Sequence, residues 1–329
     1  MLIDNHGRPL NYVRLAVTDR CNLRCFYCMP EEGIHYLPKK ALLTFEEIER
    51  LITLLASMGI SKVRITGGEP FVRTDMMQLI RTIVEIPGVK DLHITTNGVL
   101  TAQHIPELKK LGIASVNLSL DTLNKERFNS ITRRNEFDAV MKTYYSLLDH
   151  NIPVKINAVV MDGKNIDDII PLTELTREHP VSVRFIEEMP FNGEGTHYPV
   201  LNWTYLKILE HVTSHYPSIQ KIKDPENSTS YNYSIPGHKG NIGIIAAFSR
   251  TFCGSCNRLR ITAQGGLKTC LYDDGVLDIK TLMREGKSND EIKDALLKAL
   301  LARPLDGFEA EEKRKDHALA HESMSTIGG

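Results

Sequence analysis

The sequence predicts an α/β fold: a partial, open TIM-like barrel of six strand–helix units, followed by a C-terminal α+β extension. Three observations lead there. From residue 12 to about 188, short β-rich runs alternate with amphipathic helical stretches, the pattern of a parallel sheet. Six such units are too few to close an eight-fold barrel. Beyond Pro190 the rhythm stops, and the Gly- and Pro-containing stretch 190–202 reads as a connector. The expected domains are therefore 1–190 and 191–329.

The six strands are read at 12–18, 62–66, 91–96, 115–121, 154–160 and 182–187, each a β-branched or alternating run bounded by turn residues. The clearest helix spans 44–58. Thr44 and Glu47 have capping-box spacing, Ile48, Leu51, Ile52, Leu55 and Met58 form an apolar stripe, and Gly59 follows as a stop. Further helices are expected to start near Thr74, Thr101, Asn124 and Asn165. In the extension a helix is expected over 203–215. Strands follow at 230–235, 242–248 and 259–262, then helices at 279–285 and 290–301. The charged run 309–316 reads as a solvated segment.

Composition excludes some classes of function. Across 329 residues, 40 Lys and Arg balance 41 Asp and Glu, so no global field recruits nucleic acid or an anionic membrane. No apolar run approaches the ~20 residues of a membrane span. The first eight residues lack a basic-then-apolar leader pattern. A cytoplasmic location is expected, and with it reduced thiols.

The six cysteines form two triplets, Cys21-x3-Cys25-x2-Cys28 and Cys253-x2-Cys256-x13-Cys270, with no thiol left over. Three thiolates are one short of a closed zinc site or a fully ligated iron–sulfur cluster. Each triplet can therefore leave one metal position open to a small molecule. The first lies just after the first strand, and chemistry gathers at the C-terminal ends of such strands. Strand alternation adds a second signal. Arg14, Ala16 and Thr18 share one face, as do Arg64 and Thr66, His93 and Thr95, Asn117 and Ser119, and Lys155 and Asn157. Polar residues with repeated single cations suit a cavity for an anionic, hydrogen-bonding substrate such as a nucleotide. Arg258 and Arg260 project the same way, just past Cys256. Solvent-facing edge residues and an electron-relay cluster are the plainer alternatives. The pairs His211/His215 and His317/His321 have metal-compatible spacing without a third ligand, and read as solvated helix faces. No GxxxxGK[ST] loop is present.

The first triplet, with Tyr27 before its last cysteine, resembles the radical S-adenosylmethionine superfamily. Thr66-Gly67-Gly68-Glu69-Pro70 looks like that family's GGEP motif. Further matches narrow the resemblance: Val17-Thr18-Asp19-Arg20-Cys21, Thr95-Thr96-Asn97-Gly98, Asn117-Leu118-Ser119-Leu120-Asp121, Arg184-Phe185-Ile186-Glu187, Phe252 through Arg260, and the terminal Ile327-Gly328-Gly329. Together they are similar to the GTP 3′,8-cyclases of molybdenum cofactor biosynthesis, along essentially the whole chain.

That resemblance implies two 4Fe–4S clusters, held by Cys21, Cys25 and Cys28 and by Cys253, Cys256 and Cys270. It implies S-adenosylmethionine contacts at Tyr27, Gly68, Ser119 and Met189. It implies GTP contacts at Arg14, Arg64, Thr95, Lys155, Arg258, Leu259 and Arg260, and an active-site tail at Gly328 and Gly329. The implied chemistry is abstraction of the ribose 3′ hydrogen, ring closure onto guanine C8 and reduction, giving 3′,8-cyclo-7,8-dihydroguanosine triphosphate. No protein acid or base is required. The implied partners are GTP, an external electron donor, a second copy of the chain, and the cyclic pyranopterin monophosphate synthase that takes the product. Two rivals differ in chemistry: a radical peptide-modifying enzyme with an auxiliary cluster, and a non-catalytic iron–sulfur electron carrier. Arg258, Arg260 and the Gly-Gly tail argue against the first, and Gly67-Gly68-Glu69-Pro70 against the second.

Overall fold

The computed structural model describes residues 2–191, 201–314 and 323–328. The chain forms two compact units. One comprises Met1–Asn22, Ile34–Thr95 and Cys253–Gly329, the other Leu23–Gly33 and Thr96–Phe252.

In the first unit, Tyr12–Ala16, Lys62–Thr66 and Asp91–Thr96 lie side by side and parallel. Arg258–Ile261 adds a fourth parallel strand beside Tyr12–Ala16. Gly266–Lys268 and Leu277–Asp278 then continue the ladder antiparallel. One face is apolar: Val13, Leu15, Val63, Ile65, Leu92, Ile94, Leu259 and Ile261 are buried. Each such side chain contributes roughly 1.5–3 kcal/mol. The helix Phe45–Ser57 packs on the helix Met76–Glu85. Its start shows both arms of the Thr44/Glu47 capping box, and Gly59 follows at φ +110°.

The second unit repeats the plan. Ser115–Ser119, Val154–Val160 and Ser182–Glu187 run parallel, and Asn241–Ile245 pairs parallel beside Ser182–Glu187. Ser230–Ser234 and Gln220–Lys221 extend it antiparallel. The helices are Ile105–Lys110, Lys125–Thr132, Phe137–Asp149, Ile169–Glu178 and Tyr205–His215. Asn124 and Thr204 cap the second and last, each accepting a helix N–H.

Four of the six core strands keep the expected bounds. Two end two residues early, because Thr18 and Asp121 turn to other duties. The Thr18 hydroxyl accepts the Arg20 N–H and its carbonyl accepts that of Gly68. Asp121 accepts the Val159 N–H at 2.8 Å. The helix Phe137–Asp149 is an addition to the expectation. Its N-cap, Glu136, makes no side-chain capping bond, so only the stripe Val140, Tyr144, Leu147 announces it. The charged run expected at 309–316 begins inside a helix, Gly307–Glu312, which starts there because Asp306 accepts the N–H groups of Phe308 and Glu309; residues 315 and 316 lie outside the described residues. The compact units also follow a different division from the boundary expected at 190/191. The C-terminal part sends Arg258–Ile261 into one ladder and Asn241–Ile245 into the other, so sheet hydrogen bonds tie it to both.

Candidate active site

Cys253, Cys256 and Cys270 all belong to the first unit, are partly buried and form no disulfide. The segment around Cys253 is held by Arg8, which donates to the Cys253 carbonyl at 3.1 Å. The Cys256 carbonyl accepts from Arg303 at 2.9 Å, and the same guanidinium donates to the Cys256 sulfur at 3.2 Å. Cys270 is fixed by Asp273, whose carboxylate accepts the Cys270 N–H, the Thr269 N–H and the Thr269 hydroxyl. The Arg258 and Arg303 cations favour the Cys256 thiolate enough to lower its pKa despite burial. Burial, with Asp273 and the two other cysteines adding to it, pushes Cys270 up to about 11. Metal binding would deprotonate both. Three free thiols, one of them accepting an N–H from a buried guanidinium, are the donor chemistry that an iron–sulfur group takes, so the residues present fit one.

Beside this triplet runs a basic row. The register places Arg260 against Arg14, Arg14 against Arg64, and Arg64 against His93. Lys268 sits opposite Arg260 on the antiparallel side. Directly paired residues share a face, so five basic side chains from five adjacent strands point the same way. Lys268, Arg260, Arg64 and His93 are buried. Burial, and then the neighbouring guanidiniums, disfavours the charge on Arg14 and on Arg260. Like charges this close are costly unless an anion joins them. Two residues earlier, Tyr12 lies between Arg258 and Lys62 in register. Its hydroxyl accepts from Arg64 Nε at 2.6 Å. Burial alone would raise its pKa, but Arg64, Arg14 and Arg258 outweigh that and bring it down to about 7.

Two residues later in register, Ala16 pairs with Thr66, and there the chain's tail arrives. Gly328 has φ +78°, and its carbonyl accepts from Arg260 at 2.6 Å. A Cβ there would stand 2.5 Å from the Thr66 hydroxyl. Gly329 lies outside the described residues.

The remaining expected residues fall as follows. Thr95 is in hydrogen-bonding range of Arg64, at 3.5 Å. The Leu259 side chain lies on the apolar face opposite Arg258 and Arg260, 1% exposed. Gly68 packs against the chain itself: its N–H donates to the Thr18 carbonyl, and a Cβ would stand 2.3 Å from the Arg20 carbonyl oxygen. In the second unit, the Cys28 N–H donates to the Cys25 carbonyl at 2.9 Å. Tyr27 donates to Asp121 at 2.9 Å. Burial, with smaller contributions from Glu188 and Asp168, raises the Asp121 carboxyl to about 6. Lys155 pairs with Asn117, and Ser119 with Asn157, on the polar face of that sheet. Met189 follows the strand Ser182–Glu187, partly buried.

The chain matches the Radical SAM superfamily over residues 15–176 and the Molybdenum Cofactor Synthesis C family over 181–308. It is 40% identical to a GTP 3′,8-cyclase of Syntrophomonas wolfei over 340 positions, covering all of both chains. It is 39% identical to the mitochondrial GTP 3′,8-cyclase of Arabidopsis thaliana, covering all of this chain and 84% of that one. This chain belongs to the GTP 3′,8-cyclase family. Its fold is the parallel α/β fold of radical S-adenosylmethionine partial barrels with a C-terminal extension. Streptococcus suis SuiB, solved with S-adenosylmethionine bound, superposes with a TM-score of 0.64 at 18% identity, over 94% of this chain and 68% of that one. At that identity the likeness speaks to fold alone. Superfamily membership brings with it a 4Fe–4S cluster and S-adenosylmethionine.

Sequence reasoning missed Asp4, Arg8, Arg303, Asp273 and Tyr12. Asp4 and Arg303 are 299 residues apart, and no local pattern joins them. Tyr12 could have been found, because it shares a face with Arg14.

Proposed function

We propose that the chain converts GTP to 3′,8-cyclo-7,8-dihydroguanosine triphosphate, with the first cysteine triplet carrying the S-adenosylmethionine cluster and the second carrying a guanine-binding cluster. When bound, the first cluster and S-adenosylmethionine supply the one-electron chemistry that removes a ribose hydrogen. The observation that carries the reading is the register Arg260–Arg14–Arg64 beside Cys253, Cys256 and Cys270. Converging guanidiniums, those of Arg64 and Arg260 buried, suit a polyanion, and their forks match phosphate oxygens better than ammonium groups do. Arg258, one strand position past the Cys256-Asn257 pair, would hold the phosphates while Arg260 links them to the tail. Thr95 and Arg64, 3.5 Å apart, would contact the nucleotide from the same side. The backbone at Gly328 closes the space above Ala16 and Thr66 without a side chain, which excludes water from the reacting atoms. Lys155 is kept for GTP, and Tyr27, Gly68, Ser119 and Met189 for S-adenosylmethionine, on motif matching. The Gly68 role would be through its main chain. We keep Leu259 as a main-chain contact as well.

Among the described residues no helix is long and apolar enough to cross a membrane. The test is one anaerobic incubation of the reconstituted chain with dithionite, S-adenosylmethionine and GTP, read by mass spectrometry. The expected products are methionine, 5′-deoxyadenosine and the cyclised triphosphate. Cleaved S-adenosylmethionine with unaltered GTP would overturn the substrate assignment. About four irons per chain, in place of about eight, would overturn the second cluster.

A further inference from the structure

The side chains behind the second triplet form one buried lattice. Asp4 accepts from Arg8 Nε at 2.6 Å and from Arg303 Nη1 at 2.8 Å. The Asp4 side chain is 0% exposed and that of Arg303 is 2%. Asp4 and Arg8 are brought together by a turn between the two-residue strands Leu2–Ile3 and Pro9–Leu10, with Gly7 at φ +76° inside it. Arg8 donates to the carbonyls of Cys253, Pro304 and Leu305. Arg303 does more. It donates to the carbonyls of Thr269, Cys256 and Arg258, and to the Cys256 sulfur. These are the main-chain segments on both sides of the ligand loop: Cys256 and Arg258 on one, and Thr269, next to Cys270, on the other. Two guanidiniums share one carboxylate, so the buried lattice carries one excess positive charge. A buried charge of that kind needs a counter-charge. The side chain that Arg303 meets with its remaining N–H is a cysteine sulfur.

We propose that Arg303 is a positioning residue for the second cluster: it fixes the loops bearing Cys256 and Cys270, and its N–H group bonds the ligating sulfur and tunes the cluster's reduction potential. This rests on the two-cluster reading above. A guanidinium fork supplies five donors in a fixed plane, and here its hydrogen bonds fall on ligand-loop main chain, the Cys256 sulfur and Asp4. Hydrogen bonds to cluster sulfurs raise the potential, because reduction adds negative charge that the donor stabilises. The Asp4–Arg8 turn acts through Arg303 by holding its plane. Lysine can keep the charge but cannot make the fork.

The test uses the full-length chain with Cys25→Ala, which leaves the second triplet as the iron site. Arg303→Lys and Arg303→Gln are made in that background. Iron content, the rate of iron loss to a chelator, the midpoint potential and the melting temperature of the iron-free chain are measured. For Arg303→Gln the expected result is a lower midpoint potential, and iron loss about ten-fold faster or more, the usual scale for residues behind metal ligands. Arg303→Lys should shift both in the same direction by less, and it keeps the test decisive if the Gln variant does not fold. Unmoved potential and unmoved iron loss in Arg303→Lys overturn the proposal while leaving the cluster in place. A parent chain that binds no iron through Cys253, Cys256 and Cys270 overturns the cluster reading, and the role of Arg303 with it.

Discussion

The two compact units share a plan and differ in what they put on it. Each has four parallel strands continued by an antiparallel edge. In the first, the polar face gathers Lys268, Arg260, Arg14, Arg64 and His93 in one lateral row. In the second, the corresponding face is mostly neutral. One row runs Asn117, Lys155, Ser182, Asn241, and the next runs Ser119, Asn157, Arg184. The scaffold is therefore indifferent to the chemistry, and the side chains at alternate positions decide it. Four cations in a row with a histidine demand an anion to be at ease. A row of amides and hydroxyls with single cations suits a ligand read mainly by hydrogen bonds. The cysteines differ likewise. The second triplet is gripped by Arg8, Arg303 and Asp273. The segment carrying Cys25 and Cys28 is tied instead by main-chain bonds from Arg24 and Phe26 to Thr132 and Ile131, and by Arg133 to the Met29 carbonyl.

The sharpest way to break this comparison is to remove one cysteine from each triplet. Cys25→Ala should abolish S-adenosylmethionine cleavage and product alike. Cys256→Ala should abolish product while some uncoupled cleavage survives. Both are read by mass after anaerobic incubation. Wild-type product from Cys256→Ala would make the second triplet an accessory. The next largest effect concerns Arg258, on the same face as the basic row and two residues before Arg260. Charge-assisted contacts are worth roughly 1.5–3 kcal/mol each, so Arg258→Ala should weaken GTP binding about ten-fold or more. Lysine there should restore only part of the loss. Asn157→Ala, on the neutral face, should change GTP affinity by no more than a few-fold. Equal losses in equilibrium binding would dissolve the contrast between the faces.

A smaller difference is structural. In Gly68→Ala the new Cβ meets the main chain of the neighbouring segment, 2.3 Å from the Arg20 oxygen and 2.9 Å from that of Asp19. That segment is held in place, because the Arg20 carbonyl already accepts the Glu69 N–H. The expected cost is about 3 kcal/mol, at the upper end for overpacking. Gly112→Ala, in the second unit, adds a Cβ into open space at φ +70°. It should cost about 1 kcal/mol, from backbone strain alone. Denaturant midpoints of the two variants give the comparison.

Much of this was legible beforehand, for reasons that particular residues show. The strand Val154–Val160 alternates buried and partly exposed positions along its whole length, so period two marks it without ambiguity. The helix after Thr44 carries both cap and stripe. The cysteine spacing and the Gly67–Pro70 turn identify chemistry because few other uses need them. What stayed hidden is lateral and long-range. Alternation shows that Arg14 and Arg64 each face one way, but only register shows that they stand side by side. That the strand Arg258–Ile261 lies beside Tyr12–Ala16 could not be read, because parallel pairing leaves no mark in either segment. Asp4, Arg8 and Arg303 carried no motif at all.

Tyr12 gives the finest test of the basic row. Its phenol is faced by Arg64, Arg14 and Arg258, with the Lys62 ammonium 5.0 Å from its ring centroid. These cations bring its pKa down to about 7 against the pull of burial. The folded value lies below the unfolded value of about 10. The stability this group contributes is therefore full above pH 10 and lost as pH falls through 7. Between those limits the parent chain's melting temperature should rise with pH relative to Tyr12→Phe. Bound triphosphate reverses the preference, because its charge competes with the phenolate for the same guanidiniums. GTP binding should then take up a proton, so affinity should fall a few-fold as pH rises above about 7. Equilibrium binding across that range, in parent and Tyr12→Phe, measures it. A flat profile in Tyr12→Phe and a declining one in the parent place the phosphates on this row. Parallel profiles would mean that the anion meets the arginines away from Tyr12, and would move the triphosphate toward Arg260 and Lys268.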